Sequence, residues 1–237
     1  MRIGLVSCRC ENRNIAFNMR QIERTMRASA GKADLLCFGE AFLQGFDALS
    51  WDYAADRAIA VEQSSEQIAA LREWTVRYGM SLLTGYIEKD GDRLYSSCIV
   101  LSDGQTVRNY RRISKGWKEY DRTDDHYCEG NETASFQLHG KTMMLALCGD
   151  LWEFPERFRT EHLLIWPVYV NYSVEEWEQG ALDEYAAQAA LAAPDVLMVN
   201  PLDAAPVNHG GSFRFQNGKT TAGIPFDRDG ILTVDVP

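Results

Sequence analysis

Basic residues are in deficit in this chain. Lys and Arg number 24 against 34 Asp and Glu, a formal net charge of −10, which argues against the clustered cationic face that nucleic acid or an anionic bilayer requires. Histidines are few, four in all at 126, 139, 162 and 209. Cys8-Arg9-Cys10 is the one close cysteine pair, and no second pair completes a zinc set, so no metal site is expected. No apolar run is long enough to cross a bilayer, and Met1-Arg2-Ile3-Gly4-Leu5-Val6 reads as a strand and not as a signal peptide. Neither a repeat of fixed period nor a low-complexity linker is present. The 237 residues therefore read as one domain, 1–237. A chain of this length buries roughly 70–75% of its unfolded surface and needs no disulfide or metal staple. Cys8, Cys37, Cys98 and Cys148 lie in or beside apolar runs, where a free thiol behaves as a small hydrophobe. The expected compartment is reducing and cytoplasmic.

What the chain does have is helix and strand signals in alternation. Residues 2–8 are β-rich, residues 14–30 carry Ile15, Met19, Ile22 and Met26 at helical spacing up to Gly31, and residues 34–38 form a second strand. This is the opening of a β-α-β unit. A second helix is expected over 64–78, with Ser64-Ser65-Glu66-Gln67 as its cap. Strands at 80–86, 94–101 and 106–113 are separated by the turns Lys89-Asp90-Gly91-Asp92 and Asp103-Gly104. Residues 114–131 are polar and irregular, a long functional loop or lid. Strands follow at 133–138, 142–148 and 163–167, with a short helix at most over 155–162. An Ala-rich helix over 175–193 is stopped by Pro194, a strand covers 196–199, and 212–215 and 231–236 read as late hairpin strands.

Two strand ends carry chemistry. Met143-Met144-Leu145-Ala146-Leu147 runs into Cys148, followed by Gly149-Asp150-Leu151-Trp152 and Phe154-Pro155-Glu156. Ala33-Asp34-Leu35-Leu36-Cys37-Phe38-Gly39 runs into Glu40. Carboxyl ends of strands are where layered α/β proteins place small-molecule chemistry. A thiol and a carboxylate at two such ends match a nucleophile and its base. A carboxylate base works best when burial raises its pKa, and the apolar strand before Glu40 points to burial.

In the order of these motifs the chain resembles the nitrilase superfamily, the carbon–nitrogen hydrolases. The resemblance rests on Phe38-Gly39-Glu40, on Tyr110-Arg111-Arg112, and on Cys148-Gly149-Asp150 with Phe154-Pro155-Glu156. It continues through Gly85-Tyr86, Leu94-Tyr95-Ser96-Ser97, Gly210-Gly211-Ser212 and Asn217-Gly218, in order along roughly the whole chain. It implies an α/β fold of the four-layer α-β-β-α sandwich type. It further implies hydrolysis of a small amide, ω-amide, carbamoyl or nitrile substrate through a Cys thioester, no cofactor, and a homodimer or higher homo-oligomer. Acyl transfer to an amine is the variant reaction. The implied catalytic residues are Glu40 as base, Cys148 as nucleophile, the cation aligned with Arg112, and Glu119 as nearest match to a second, buttressing Glu.

Arg112 stands where the family has Lys. An Arg keeps the charge, is larger and planar, and cannot deprotonate. Lys115 or Lys118 on the following loop is the alternative source of the cation, and a catalytically impaired relative that binds a ligand or partner is the alternative function. Asp150 reads as a structural residue of the turn after the nucleophile, and the amide of Gly149 as an oxyanion donor. The stretch from Cys148 to Pro167 is short, so the helix after the nucleophile is expected to be reduced. Trp117, Tyr120, Trp152, Tyr169 and Tyr172 form a candidate pocket set. His126 and His209 read as surface residues.

Overall fold

Two six-stranded sheets lie face to face in the computed structural model, which describes residues 1–133, 135–204 and 207–237. The strands of the first are β1 (Arg2–Ser7), β2 (Leu35–Cys37), β3 (Ser81–Asp90), β4 (Arg93–Ser102), β5 (Gln105–Arg111) and, from the far end of the chain, β14 (Gly230–Asp235). Their order is β14-β1-β2-β3-β4-β5. The second sheet runs β13-β12-β9-β8-β7-β6, from β6 (Ser135–Leu138), β7 (Lys141–Leu145), β8 (Leu163–Pro167), β9 (Asp195–Val199), β12 (Ser212–Gln216) and β13 (Lys219–Ile224). A short ribbon pairs β10 (Leu202–Ala204) with β11 (Val207–His209). Each large sheet has a parallel centre, β1-β2-β3 in one and β7-β8-β9 in the other, with antiparallel strands outside it.

Strands covered on both faces need apolar side chains of both parities. Leu35 and Cys37 of β2 face the core between the sheets and Leu36 faces outward, and in β4 Cys98 and Val100 point inward while Ile99 and Leu101 point outward. The outward set is covered by α1 (Ile15–Ser29), through Ile22 and Met26, and by α3 (Glu66–Tyr78), through Ile68 and Leu71. Each of these four side chains contributes about 1.5–3 kcal/mol by burial. Asn14 caps α1 by accepting from the Phe17 amide at 3.1 Å, Ser65 caps α3, and Gly79 closes α3 in the left-handed conformation. On the other side, a helical stretch packs on β9, β12 and β13. It runs from α5 (Val174–Glu176) through the π-helical Trp177–Ala181 into α6 (Leu182–Ala190). The layers are thus α-β-β-α, as the resemblance implies.

The sequence reading places most elements within a few residues. The strand expected over 80–86, however, runs on to Asp90, the helix expected over 175–193 is interrupted by the π-helical Trp177–Ala181, and the β10–β11 ribbon is not foreseen. Residues 212–215 and 231–236 do not pair with each other: β12 pairs with β13, and β14 crosses to pair antiparallel with β1, so the last strand closes the first sheet. The strand expected over 142–148 leaves the ladder after Leu145. A short helix, α2 (Tyr53–Ile59), capped by Asp52, was not expected. The strand expected over 133–138 is found as Ser135–Leu138, residue 134 lying outside the described residues. As expected, the helical segment after Cys148 is short, α4 (Asp150–Glu153) and one 3₁₀ turn, Pro155–Phe158.

Candidate active site

Glu40 lies three residues beyond β2, Cys148 three beyond β7 and Arg112 one beyond β5, and the packed sheets bring all three together. Glu40 is 0% exposed. Its Oε1 accepts from Ser96 Oγ at 2.8 Å and from Arg112 Nη1 at 3.0 Å. Its Oε2 is buried with no hydrogen-bond partner among the described residues. One carboxylate oxygen is therefore held by two donors, and the other is left to take a proton.

The turn that carries Glu40 lies flat on β3 because residue 85 has no side chain. A Cβ on Gly85 would stand 2.4 Å from the Ala41 nitrogen and 2.7 Å from the Glu40 Cα. The Gly85 amide donates to Gly39 O at 3.1 Å and its carbonyl accepts from the Leu43 amide at 3.1 Å.

Cys148 is half-buried with φ +39°, a left-handed conformation that costs a non-glycine residue energy and marks functional turns. Burial pushes its thiol up to about 12, with Glu40 adding to the rise and Arg112 opposing it. The thiol is thus held in its neutral form near neutral pH, and its thiolate forms only if the proton is taken from it. The carbonyl of Cys148 accepts from Trp166 Nε1 at 2.8 Å. The amides of Cys148 and Asp150 are spent on Pro167 O at 2.9 Å and Leu147 O at 2.8 Å, whereas that of Gly149 has no partner among the described residues. Of the three amides in this turn it alone is left open among the described residues.

Three successive carbonyls at the end of β8 register the site. Pro167 O accepts from the Cys148 amide at 2.9 Å, Val168 O from the Glu40 amide at 3.2 Å, and Tyr169 O lies 3.9 Å from the Cys148 sulfur. Asn200 then clamps the next residue from both sides, accepting from Val170 N at 3.0 Å and donating to Val170 O at 2.9 Å.

Arg112 is 4% exposed and each of its three nitrogens makes one bond: Nε donates to Ser114 Oγ at 2.8 Å, Nη1 to Glu40, and Nη2 to Lys115 O at 2.8 Å, which uses three of the five N–H donors. Burial works against its charge, but Glu40, Cys148 and Asp150 outweigh burial and raise its pKa. Asp150 ties the nucleophile turn to the end of β5. Its Oδ1 accepts from the Ile113 and Ser114 amides at 3.1 and 2.8 Å, and its Oδ2 from Tyr110 Oη at 2.5 Å and the Leu147 amide at 2.8 Å.

The neighbouring residues repeat this arrangement on the other face of the first sheet. Ser97 and Arg111 are cross-strand partners, and both bind Glu88, Ser97 Oγ at 2.6 Å and Arg111 Nη2 at 2.8 Å. Adjacent Ser96-Ser97 and Arg111-Arg112 thus serve two buried carboxylates on opposite faces, one structural and one in the site.

The remaining candidates lie elsewhere. Glu119 is exposed in a turn where its carbonyl accepts from the Arg122 and Thr123 amides, and the structure does not bring it into the Glu40–Arg112–Cys148 cluster. Lys118 is paired with Glu129 at 3.2 Å and donates to Tyr127 O, and Lys115 contributes its carbonyl to Arg112. His126 and His209 bind Asp124 and Asp227. Of the aromatic set, Trp117 and Tyr169 are buried, while Tyr120, Trp152 and Tyr172 are exposed. Ser96, Ser114 and Trp166 were given no role from sequence. Two adjacent serines inside an apolar strand are the signal that points to Ser96. No group of three or more His, Cys, Asp or Glu that could hold a metal occurs among the described residues.

The pattern of the carbon–nitrogen hydrolase family matches residues 11–237. In structure the chain is similar to a CN-hydrolase superfamily protein from Xanthomonas campestris with an arsenic adduct in its active site. Identity is 18%, TM-score 0.78, and 99% of this chain and 89% of that one are covered. It is similar to a cysteine-to-serine mutant of a nitrilase-superfamily amidase from Nesterenkonia, at 20% identity and TM-score 0.80, covering 100% of this chain and 92% of that one. It is also similar to a glutamine-dependent NAD+ synthetase from Acinetobacter baumannii, at 17% identity and TM-score 0.75, covering 98% of this chain but 44% of that one. At these identities the likeness is one of fold. No curated protein matches the chain in sequence.

Proposed function

The chain belongs to the carbon–nitrogen hydrolase family, and from that premise we propose that it hydrolyses a non-peptide carbon–nitrogen bond of a small amide, ω-amide or carbamoyl compound through a thioester on Cys148. The observation that carries the reading is the buried Glu40, one oxygen held by Ser96 and Arg112 and the other without a partner, in the same cluster as the Cys148 thiol. Glu40 takes the thiol proton as sulfur attacks the carbonyl carbon. The oxyanion faces the Arg112 guanidinium and the Gly149 amide, a pairing of the kind whose single members are worth about 10²–10³ in rate. Glu40 then gives its proton to the departing nitrogen, afterwards takes one from the water that attacks the thioester, and returns it to the Cys148 sulfur as the carbon–sulfur bond breaks and the acid leaves. Arg112 cannot deprotonate, so every proton transfer falls to Glu40. Glu119, exposed, has no step in this scheme.

A second reading has a specific motive. Arg112 stands where the resemblance leads one to expect Lys and ties up one oxygen of Glu40 at 3.0 Å, and a catalytically impaired relative that binds a ligand or partner would carry the same pair. Intact mass of the wild type and Cys148→Ala, after incubation with a panel of small amides, nitriles and carbamoyl compounds and with ammonia read in the same wells, separates the two. A Cys148-dependent acyl adduct with ammonia release is the expected result. Binding of panel compounds with neither adduct nor ammonia would establish the second reading. Hydroxamate on adding hydroxylamine would move the reaction to acyl transfer. The proposal extends to a cytoplasmic homodimer or higher oligomer, and a monomer in light scattering at micromolar concentration would remove that part.

A further inference from the structure

Residue 149 sits directly after the nucleophile, in the first turn of the helical segment that follows it. Its backbone has φ −61° and ψ −13°, right-handed values that any residue adopts. The conformation therefore does not ask for glycine, and alanine would be expected to stabilise the fold there by restricting the unfolded chain. The space around it does ask for glycine. A Cβ at residue 149 would stand 2.3 Å from Arg112 Nη2, 3.3 Å from Arg112 Cζ and 3.0 Å from Ser114 Oγ.

Such an overlap is cheap where the obstructing atom ends a free, flexible side chain. Here the end is fixed. The guanidinium is held at Nε by Ser114, at Nη1 by Glu40 and at Nη2 by the Lys115 carbonyl, and the residue is 4% exposed. Moving Nη2 by roughly 1 Å to restore van der Waals contact strains the Lys115 bond and pulls the planar fork out of register with Glu40. The three bonds act on one rigid plane, so a shift at one nitrogen is a shift at all of them.

We propose that Gly149 is a positioning residue for Arg112: its missing side chain is the room that the guanidinium occupies, so that Arg at 112 and Gly at 149 form one functional unit. The inference rests on the reading of Arg112 as the oxyanion cation. It accounts for how an Arg fits where the resemblance leads one to expect a Lys. A linear ammonium chain has no second nitrogen projecting toward residue 149, so a side chain there would be compatible with Lys and incompatible with Arg.

The test is a double-mutant cycle on the full chain with Gly149→Ala, Arg112→Lys and the two combined. Gly149→Ala should melt close to the wild type and lose about 10²-fold in kcat/KM, mainly in kcat, the order expected of a 1 Å misplacement of a catalytic group. In the Arg112→Lys background, where loss of the Nε bond lets the Ser114 hydroxyl turn aside, the same Gly149→Ala change should cost far less. An equal fold-loss in both backgrounds would overturn the proposal. If Gly149→Ala alone fails to fold, recovery of folding in the combined variant supports the clash with the guanidinium, and failure of both places the obstruction elsewhere and overturns it.

A second readout needs no substrate. Alkylation of Cys148 by iodoacetamide, located by peptide mass, depends on thiolate formation, which Arg112 favours. Gly149→Ala should slow it at fixed alkaline pH in the Arg112 protein and leave it unchanged in the Arg112→Lys background. If the wild type turns over nothing, the reading of function fails while this comparison still reports the position of the guanidinium. Equal slowing in both backgrounds refutes the pairing by itself.

Discussion

Replacing Asp150 should loosen the fold and the site together. The carboxylate is 0% exposed and accepts from four donors: the amides of Leu147, Ile113 and Ser114 and the hydroxyl of Tyr110. Asp150→Ala leaves all four without an acceptor. A buried group stripped of its partner costs about 1–3 kcal/mol, but water entering the space serves some of them and the burial of a charge is relieved, so the net loss should be about 4 kcal/mol. For a chain of this length that corresponds to a fall in melting temperature of roughly 8–16 °C. Asp150→Asn is the sharper variant. If its carbonyl oxygen serves Ile113 and Ser114, its NH₂ meets the Leu147 amide donor to donor, so it should still lose about 2 kcal/mol. Urea unfolding followed by tryptophan fluorescence measures both, with an unchanged slope showing that only stability moved. Because three of these bonds, from Tyr110, Ile113 and Ser114, hold the Cys148 turn against the end of β5, turnover should fall in Asp150→Asn even where the protein is fully folded. A loss below about 1 kcal/mol in Asp150→Ala would refute the claim that this carboxylate ties the two segments.

Three further outcomes are expected. With its thiol pushed up to about 12, Cys148 should alkylate about tenfold faster per pH unit across the neutral and alkaline range. Glu40→Gln, which removes an influence that raises the thiol, should move that profile to lower pH; a plateau near neutrality in the wild type would contradict the geometry. Gly85→Ala should destabilise by about 2 kcal/mol or more, since its Cβ meets backbone and not a movable side-chain end. A calorimetric loss of a few tenths of a kcal/mol would show that the Glu40 turn can move off β3. Burial pushes the Glu88 carboxyl up, but bonds from Arg111, Ser97, Asn109 and Gln63 outweigh burial and hold it below its ordinary 4.5. A lowered folded pKa gives stability that is present above the unfolded value and lost as pH falls through the folded one. The wild type should therefore melt higher than Glu88→Gln at neutral pH, and the gap should begin to close only as pH falls below 4.5 and vanish once the lower folded pKa is passed.

Much of this arrangement is legible in the sequence because it is local. The β-α-β opening, the paired hairpins and both strand-end residues follow from apolar runs that stop at Glu40 and Cys148. What is not legible depends on partners distant in the chain. Nothing in 230–235 states that it will pair with 2–7. The true partner of β12, Lys219–Ile224, opens with three polar residues, Lys219, Thr220 and Thr221, as an exposed edge strand can. Helix α2 is one short segment in an aromatic and acidic stretch, held by its Asp52 cap and by Asp56 binding the Ser50 and Trp51 amides. At the site, charge count misleads. The loop 114–131 offers Lys115, Lys118 and Glu119, yet Lys118 is taken up by Glu129 and Glu119 faces solvent. The serine at 96 stands inside a matched stretch, but nothing in the sequence says that its hydroxyl binds Glu40.

The run of carbonyls from Pro167 to Tyr169 acts as a ruler. Successive Cα atoms are about 3.8 Å apart whatever the side chains, so nucleophile amide, base amide and thiol are spaced by covalent geometry. An insertion of one residue there would put thiol and carboxylate out of step, whereas the loops beyond touch none of those three contacts. Selectivity can then drift, or be rewritten by loop grafting, while the spacing of the reacting atoms is inherited unchanged.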